Sequence, residues 1–298
     1  GVKAEGNYFE PTKSKTGKNI LHLAMPLETI ASEANLTIDA LIGKLGKITN
    51  LLFQVREKRI HPAKDDKVLV DWNGLMIAAL AKASQVLFDK KYLQAAIRTV
   101  DFILKEMNTP EGKLYHRYAK GEKAVNGFLD DYAYLVYGLI ELYESSFEEK
   151  YLQSSIELTK TMIEQFWDKE KGGFFFTTKS ADDDSMPMLK QTYDGAVPSG
   201  NSVALYDLLR LARISGEASF EVYANKMLKV FSDEVNDQQL GHTFMLVGLE
   251  FALGPTFNIV LVGDPSDKNT VALLTALRKE YLPNLTITLW TPEKTSTV

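Results

Sequence analysis

The chain has 298 residues, 45% of them hydrophobic and none of them cysteine, with a formal net charge of −5. That length can bury a large core, and the lack of cysteine excludes disulfides, thiolate metal sites and thiol redox chemistry of the chain's own. The acidic balance and the absence of a Lys/Arg block speak against nucleic acid or an anionic membrane surface as partners. No apolar run approaches the roughly 20 residues that span a bilayer.

Residues 1–34 are rich in Gly, Lys, Thr and Pro and are expected to be mostly loop. Gly1-Val-Lys-Ala-Glu-Gly-Asn7 reads as mid-chain sequence, so a targeting signal would lie outside it, and a cytoplasmic location is the default expectation. A first long helix is predicted from about Thr37 to Arg59, with Ile38, Leu41, Ile42, Leu45, Ile48, Leu52 and Val55 as its apolar stripe. The polar stretch His61–Lys67 ends it. The segment from Trp72 onward is apolar on nearly every side, as are Tyr132–Tyr143 and Val203–Ile214. Helices of that kind sit inside a fold, whereas helices with one stripe sit outside.

Three inner–outer helix pairs follow from this pattern. The run Phe88-Asp-Lys-Lys-Tyr-Leu93 returns as Phe147-Glu-Glu-Lys-Tyr-Leu152. Apolar residues recur downstream at helical spacing: Leu93, Ile97, Val100, Leu104, Met107, then Leu152, Ile156, Thr159, Ile163, Phe166. Phe220, Ala224, Met227 and Phe231 form a weaker third copy. Such a unit cannot bury its apolar face alone and must stack on its neighbours. The turns within pairs are short, but the connections 108–129 and 169–199 are long, and long ordered connections are commonly functional. Strand-like residues mark both: Leu114–Tyr118 with Gly121 in the first, Gly172–Thr178 with Met188–Tyr193 in the second. They lead into inner-helix starts, whose free N–H groups favour polar or anionic ligands. Polar signatures at Asp71-Trp-Asn-Gly74, Asp130-Asp131-Tyr132 and Pro198–Ser202 are therefore expected to converge at one mouth.

After Leu253-Gly-Pro255 the texture changes to one strand–helix–strand unit, Phe257–Gly263, Asp267–Leu282 and Leu285–Trp290, with parallel strands. The turn Gly263–Asp267 lacks a glycine-rich phosphate cradle, so the unit reads as structural. Two regions result, a helical one over 1–254 and a small βαβ appendage over 255–298.

Three groups could carry chemistry. Asp130 and Asp131, with Tyr132 beside them, head an inner helix; they are either caps or a carboxylate site, and capping and ligand contact can coexist on adjacent residues. Asp65-Asp66, just upstream of Trp72 and Asn73, is either a solvated charge run or part of a pocket wall. In Tyr193–Ser202, Asp194 is a further carboxylate, Gly200 permits close backbone approach, and Ser199 and Asn201 offer capping oxygens. That segment is either an elaborate helix start or a binding loop. His61 and His116 lie at the same end and could serve as bases or hydrogen-bond donors. The four histidines show no metal-ligand spacing, and nothing calls for a metal or cofactor. Asp182–Asp184 reads as a solvated loop tip, Phe174–Phe176 as loop anchoring. Ser199 does not sit in a Gly-x-Ser-x-Gly elbow.

Taken in order, Gly17-Lys-Asn-Ile-Leu-His22, Asp65-Asp-Lys67, Trp72–Ile77, Gly127-Phe-Leu-Asp-Asp-Tyr-Ala133, Gly172-Gly-Phe-Phe175 and Pro198–Val203 resemble a known family over nearly the whole chain. It is the helical C-terminal region of thioredoxin-domain-containing proteins similar to spermatogenesis-associated protein 20. The resemblance implies a mainly α fold similar to the (α/α) barrel of six-hairpin glycosidases and N-acylglucosamine 2-epimerases. It further implies a thioredoxin-like domain upstream as a partner, and a fold more than a reaction. Six hairpins need two helices each, and about eight helices precede Leu253 here. The barrel is thus expected to be incomplete at its N-terminal side, exposing apolar surface that favours self-association.

The leading functional expectation is a carbohydrate-type pocket at the mouth. Trp72 would be a stacking wall, with Asn73, Ser199, Asn201, His61, Asp130 and Tyr132 around the ligand. Asp66, Asp131, Asp194 and His116 would be the catalytic candidates. Glycoside hydrolysis needs two carboxyl groups about 5–9.5 Å apart; epimerisation needs bases on both faces of a sugar carbon, for which His61 and His116 are the candidates. The rival expectation is a non-catalytic helical scaffold serving the upstream redox domain.

Overall fold

The computed structural model describes residues 1–9, 16–178 and 188–292. They fall into two compact units, Gly1–Asp65 and Asp66–Val298.

In the first unit the N-terminal loop is tied to the segment around Asn19 and His22. The Gly1 amino group donates to the His22 carbonyl (2.8 Å), and Asn7 Nδ2 donates to Gly1 and Ile20 carbonyls. Two helices follow, α1 (Leu27–Glu33) and α2 (Ile38–Glu57). The α1 segment was expected to be loop; its single apolar patch is too short to show a stripe. Thr37 caps α2 by accepting from Ala40 N. Leu41 is buried, but Ile38, Ile42, Ile48, Leu52 and Val55 of the same helix are exposed.

The second unit is built on three antiparallel hairpins: α3 (Val70–Leu87) with α4 (Lys90–Glu106), α5 (Leu129–Ser146) with α6 (Glu149–Phe166), and α7 (Gly200–Ser215) with α8 (Ala218–Val230). Short α9 (Ser232–Asp237), a 3₁₀ turn and α10 (Thr243–Leu253) follow. Inner helices pack in the row α3, α5, α7, α10, and α4, α6 and α8 back their partners. The repeated motif is the hairpin turn. Phe88 and Phe147 are both left-handed, at φ 54° and 56°, and Gly216 does the same at φ 74° in the third copy. Each reverses the chain directly after an inner helix, and glycine reaches that conformation without the steric cost phenylalanine bears.

The outer stripes face inward as the spacing requires: Val100, Met107, Thr159, Phe166, Phe220, Ala224 and Met227 are all fully or almost fully buried. Helices α3 and α5 approach closely because both lack a side chain at the crossing. A Cβ on Gly74 would lie 2.5 Å from the Tyr134 carbonyl carbon, and one on Gly138 would lie 2.7 Å from the Gly74 oxygen. The faces of α5 and α7 are buried almost throughout. Within this apolar packing Arg210 is fully enclosed, donating to Glu141 (2.7 Å) and Glu144 (2.8 Å). Glu144 also accepts from Ile287 N, tying α5 to the C-terminal strand–helix–strand segment. Asp207 is sealed beside them and its two oxygens accept no hydrogen bond; burial holds its carboxyl well above the ordinary range.

At the C-terminal end of the second unit the predicted strand–helix–strand order is present as β4 (Phe257–Val262), α11 (Lys268–Lys279) and β5 (Leu285–Trp290), with the strands parallel in register Phe257↔Leu285 to Val262↔Trp290. The first long connection forms β2 (Tyr115–Ala119) and β3 (Glu122–Asn126), joined to β1 (Val68–Leu69) in one antiparallel sheet. Its Lys120-Gly121 turn has positive φ at both positions, which suits a tight hairpin. The second connection departs from expectation. Its described residues form no strand ladder beyond a bridge of Trp167 with Phe174 and a bond from Phe176 N to Leu189 O. The Asn201 side chain takes the partner strand's role. It accepts from Phe174 N (2.8 Å) and donates to the carbonyls of Phe174 and Gln191 (2.9 Å each). Asp182–Asp184 lie outside the described residues. About eight helices were expected through Leu253 and ten are present among the described residues, because α1 and α9 are too short to show a stripe.

Candidate active site

The start of α5 organises the site. Asp131, fully buried, accepts from Phe128 N at Oδ2 (2.8 Å), closing the first turn of its own helix. Its Oδ1 accepts from Asp71 N (3.0 Å) at the start of α3. His116 Nδ1, carried by β2, lies 3.0 and 3.1 Å from the two oxygens. One carboxylate thus fastens two inner helices and the hairpin together. The bond to Asp131 raises the His116 pKa above the ordinary imidazole value, against the opposing effect of burial. The ring of His116 meets Phe128 edge-on at 5.2 Å, and Phe128 stacks on Phe176 at 5.1 Å.

Asp71 accepts from Trp72 N (2.7 Å). Burial raises its pKa, and the neighbouring Asp131 charge adds to the effect. Asp130 is perturbed further. Burial first, then the charges of Asp131 and Asp71, push its carboxyl up to about 7, although Gly200 N–H and the Tyr134 hydroxyl favour the anion. Its Oδ1 is closed off from solvent without a well-formed hydrogen bond. The Tyr134 hydroxyl instead donates to the Pro198 carbonyl.

Ligand atoms of Asp71, His116 and Asp131 lie within 4.8 Å of one another, close enough for a metal ion. Asp131, however, already accepts from two backbone N–H groups as well as His116, so the geometry favours a hydrogen-bonded cluster.

The remaining sequence candidates have other partners. Asp194 accepts from Ser199 N (2.8 Å), Phe244 N (2.7 Å) and Met245 N (3.1 Å), capping α10 and fixing the approach to α7. Ser199 caps α7 through Ser202 N, and Asn201 holds the second connection as described. The Tyr132 hydroxyl is buried, accepting from Leu114 N (2.9 Å) and Gln165 Nε2 (3.3 Å). Asn73 donates to Leu69 O (2.7 Å). Trp72 and Asp66 are exposed. His61 belongs to the first unit, where it contacts the Glu57 carbonyl. A cavity of about 480 Å³ opens at the same loop end, lined by polar groups of Thr109, Lys113, Asn126, Tyr132, Gln165 and Thr178.

No protein-family model matches the chain. It is 32% identical over 302 residues to spermatogenesis-associated protein 20 of Rattus norvegicus, an alignment covering 97% of this chain and 38% of that protein. Identity to the Homo sapiens protein of that name is 30% over 301 residues, again covering 97% and 38%. The chain is homologous to spermatogenesis-associated protein 20. It spans 38% of the length of these two relatives.

Among solved structures, a GH76 α-mannanase of Bacteroides thetaiotaomicron matches with TM-score 0.51 and 18% identity, over 72% of this chain and 57% of that one. At that identity the match speaks to fold: this homologue of spermatogenesis-associated protein 20 has the (α/α) barrel architecture of six-hairpin glycosidases, with small strand units added.

Asp71 and Tyr134 are absent from the candidates drawn from sequence. For Asp71 the signal was available. Aligning the two phenylalanine turns places Asp71 opposite Asp130, and each is the second residue of its inner helix.

Proposed function

We propose that this chain is a carbohydrate-processing (α/α) barrel whose acid–base centre is Asp130 with Asp71, framed by the Asp131–His116 pair. The carrying observation is the Asp130 carboxyl, pushed up to about 7 beside a second carboxyl that is itself raised. A carboxylic acid half-protonated at neutral pH can give its proton to a leaving glycosidic oxygen, and a nearby carboxylate can serve the other half of the displacement. Hydrolysis suits the site better than epimerisation. The Nδ1 of His116 is engaged by Asp131 at 3.0 Å, so that nitrogen is taken up and does not serve as the base a second sugar face would need. The α-mannanase of matching fold lends the substrate class, a glycan, its support.

The test is a panel of oligosaccharides and aryl glycosides assayed with the wild type, Asp130→Asn and Asp71→Asn. Cleavage of at least one substrate that falls by two or more orders of magnitude in both variants is expected. Full activity in Asp130→Asn would overturn the assignment.

A second reading rests on Asp194, Ser199 and Asn201, whose polar atoms are engaged in capping and loop fastening. In that reading the unit is a helical scaffold for a thioredoxin-like domain of the longer protein. Absence of glycan binding or turnover across the panel would favour it.

A further inference from the structure

Tyr134 lies one turn beyond Asp130 on α5, so the two side chains share a face of the helix. It is 1% exposed, and its hydroxyl stands between two acceptors from different parts of the site. It donates to the Pro198 carbonyl, and among the described residues it is the only donor that carbonyl has. It also faces the Asp130 carboxyl. Burial first, then the Asp130 and Asp71 charges, hold the phenol well above its ordinary value, so it keeps its one proton. A single O–H cannot serve both acceptors. Here it is given to Pro198, and Asp130 Oδ1 is left without a well-formed bond. The peptide that receives it is gripped at both ends. Its C=O belongs to Pro198 and its N–H to Ser199, and that N–H donates to Asp194 (2.8 Å), the carboxylate that caps α10.

We infer that Tyr134 is a positioning residue that couples the proton on Asp130 to the peptide between Pro198 and Ser199, and so to the rim of the pocket. This role rests on Asp130 being the acid of the site. Neutral Asp130 can place its own O–H on the phenol oxygen, while the phenol proton stays on Pro198. Once Asp130 has passed its proton to a leaving oxygen, the carboxylate outcompetes a peptide carbonyl, because hydrogen bonds to an ionised group are about twice as strong. The phenol O–H then rotates onto Asp130. No covalent bond of Tyr134 breaks, and the Pro198 carbonyl is freed, leaving its peptide to Asp194 alone. The rim is thus firm before proton transfer and looser after it. Other carboxylates nearby do not compete for the phenol proton. Asp131 on α5 is filled by Phe128 N, Asp71 N and His116 of β2. Asp194, ahead of α7, is filled by three backbone N–H groups, and Asp71 on α3 accepts from Trp72 N. Gly200 N–H, at the start of α7, favours the Asp130 anion in either position of the phenol.

Carbon NMR of the whole chain tests this by following the Asp130 carboxyl and the Pro198 carbonyl through the same pH titration. In the wild type both signals should move with one midpoint. Exchange of the phenol proton for deuterium should shift the Pro198 signal on the acid side of that midpoint and not on the alkaline side. In Tyr134→Phe the Asp130 midpoint should rise, since the anion has lost its side-chain donor, and the Pro198 titration should disappear. Asp130→Asn should hold Pro198 at its acid-side position at every pH. A Pro198 signal that ignores Asp130 in the wild type would overturn the inference, as would a deuterium shift that is the same on both sides. So would a Pro198 titration that survives in Tyr134→Phe, because Gly200 would then carry the coupling. None of these signals needs a substrate. A glycan panel without turnover would sink the reaction assigned to the site and leave the coupling to stand or fall by itself.

Discussion

Gly200 and Asp130 are in such close register that a Cβ at position 200 would sit 2.3 Å from Oδ1 of Asp130. The start of α7 is therefore fitted to the carboxyl at the start of α5. The glycine in the Pro-Ser-Gly-Asn run is set by this approach, not by a special φ. Gly200→Ala should cost about 1–3 kcal/mol, in the range of overpacking. A double-mutant cycle with Asp130→Ala, read by urea unfolding, should recover much of that loss; additive losses would show that the two positions do not touch.

The pH dependence of Asp130 has a definite sign. Its carboxyl is raised in the folded state from an ordinary value near 3.8 to about 7, so between those values the folded chain binds more protons than the unfolded one. Stability associated with this group is highest at low pH and falls as pH rises through 7. Asp130→Asn should therefore match the wild type near pH 4 and exceed it near pH 8. Thermal melts across that range would refute the assignment if the two curves run parallel.

For Asp131 the prediction is structural and spectroscopic. Asp131→Asn removes the charge that faces His116 while keeping one acceptor for the backbone. A loss of roughly 2.5–4 kcal/mol is expected, from a cap worth about 1 and a charge-assisted bond worth about 1.5–3. The His116 pKa, followed by NMR, should drop toward the ordinary imidazole value. The wild-type pair stabilises most below the unfolded histidine pKa and is lost as pH rises through the folded one, so the penalty should shrink in alkaline buffer.

Arg210 neutralises two carboxylates inside the core. Arg210→Met preserves much of the bulk but removes the cation facing Glu144 and leaves Glu141 with Lys82 (2.8 Å), at a cost of about 3–5 kcal/mol. Adding Glu141→Gln and Glu144→Gln should return part of it. Chemical denaturation of the single and triple variants tests this; a triple variant no better than the single one would show that stranded charge is not the cause.

The hairpin architecture was legible because its stripes obey a 3.6-residue period and its turn motif repeats nearly verbatim; Phe220, Ala224 and Met227 are buried even in the weakest copy. Of the site, Asp130, Asp131 and His116 stood out as a carboxylate pair at a helix head and a histidine in a long loop. Asp71 did not, because one carboxylate at a helix start reads equally well as a cap. The second connection was misread as strands because a side chain, Asn201, supplies the bonds that alternation alone would assign to a ladder. The Arg210 cluster was hidden because its charges interrupt helices otherwise read as apolar.

Fastening by Asn201 has a consequence for how this barrel can vary. A ladder demands matched residues along both strands, so an insertion shifts everything beyond it. A carboxamide rooted in a rigid helix asks, for its own bonds, that the backbones of Phe174 and Gln191 arrive at its two ends. Side chains at Phe174 and Gln191 can therefore change while α7 and the carboxyl it abuts keep their places, as long as the backbone groups of those two residues still reach Asn201.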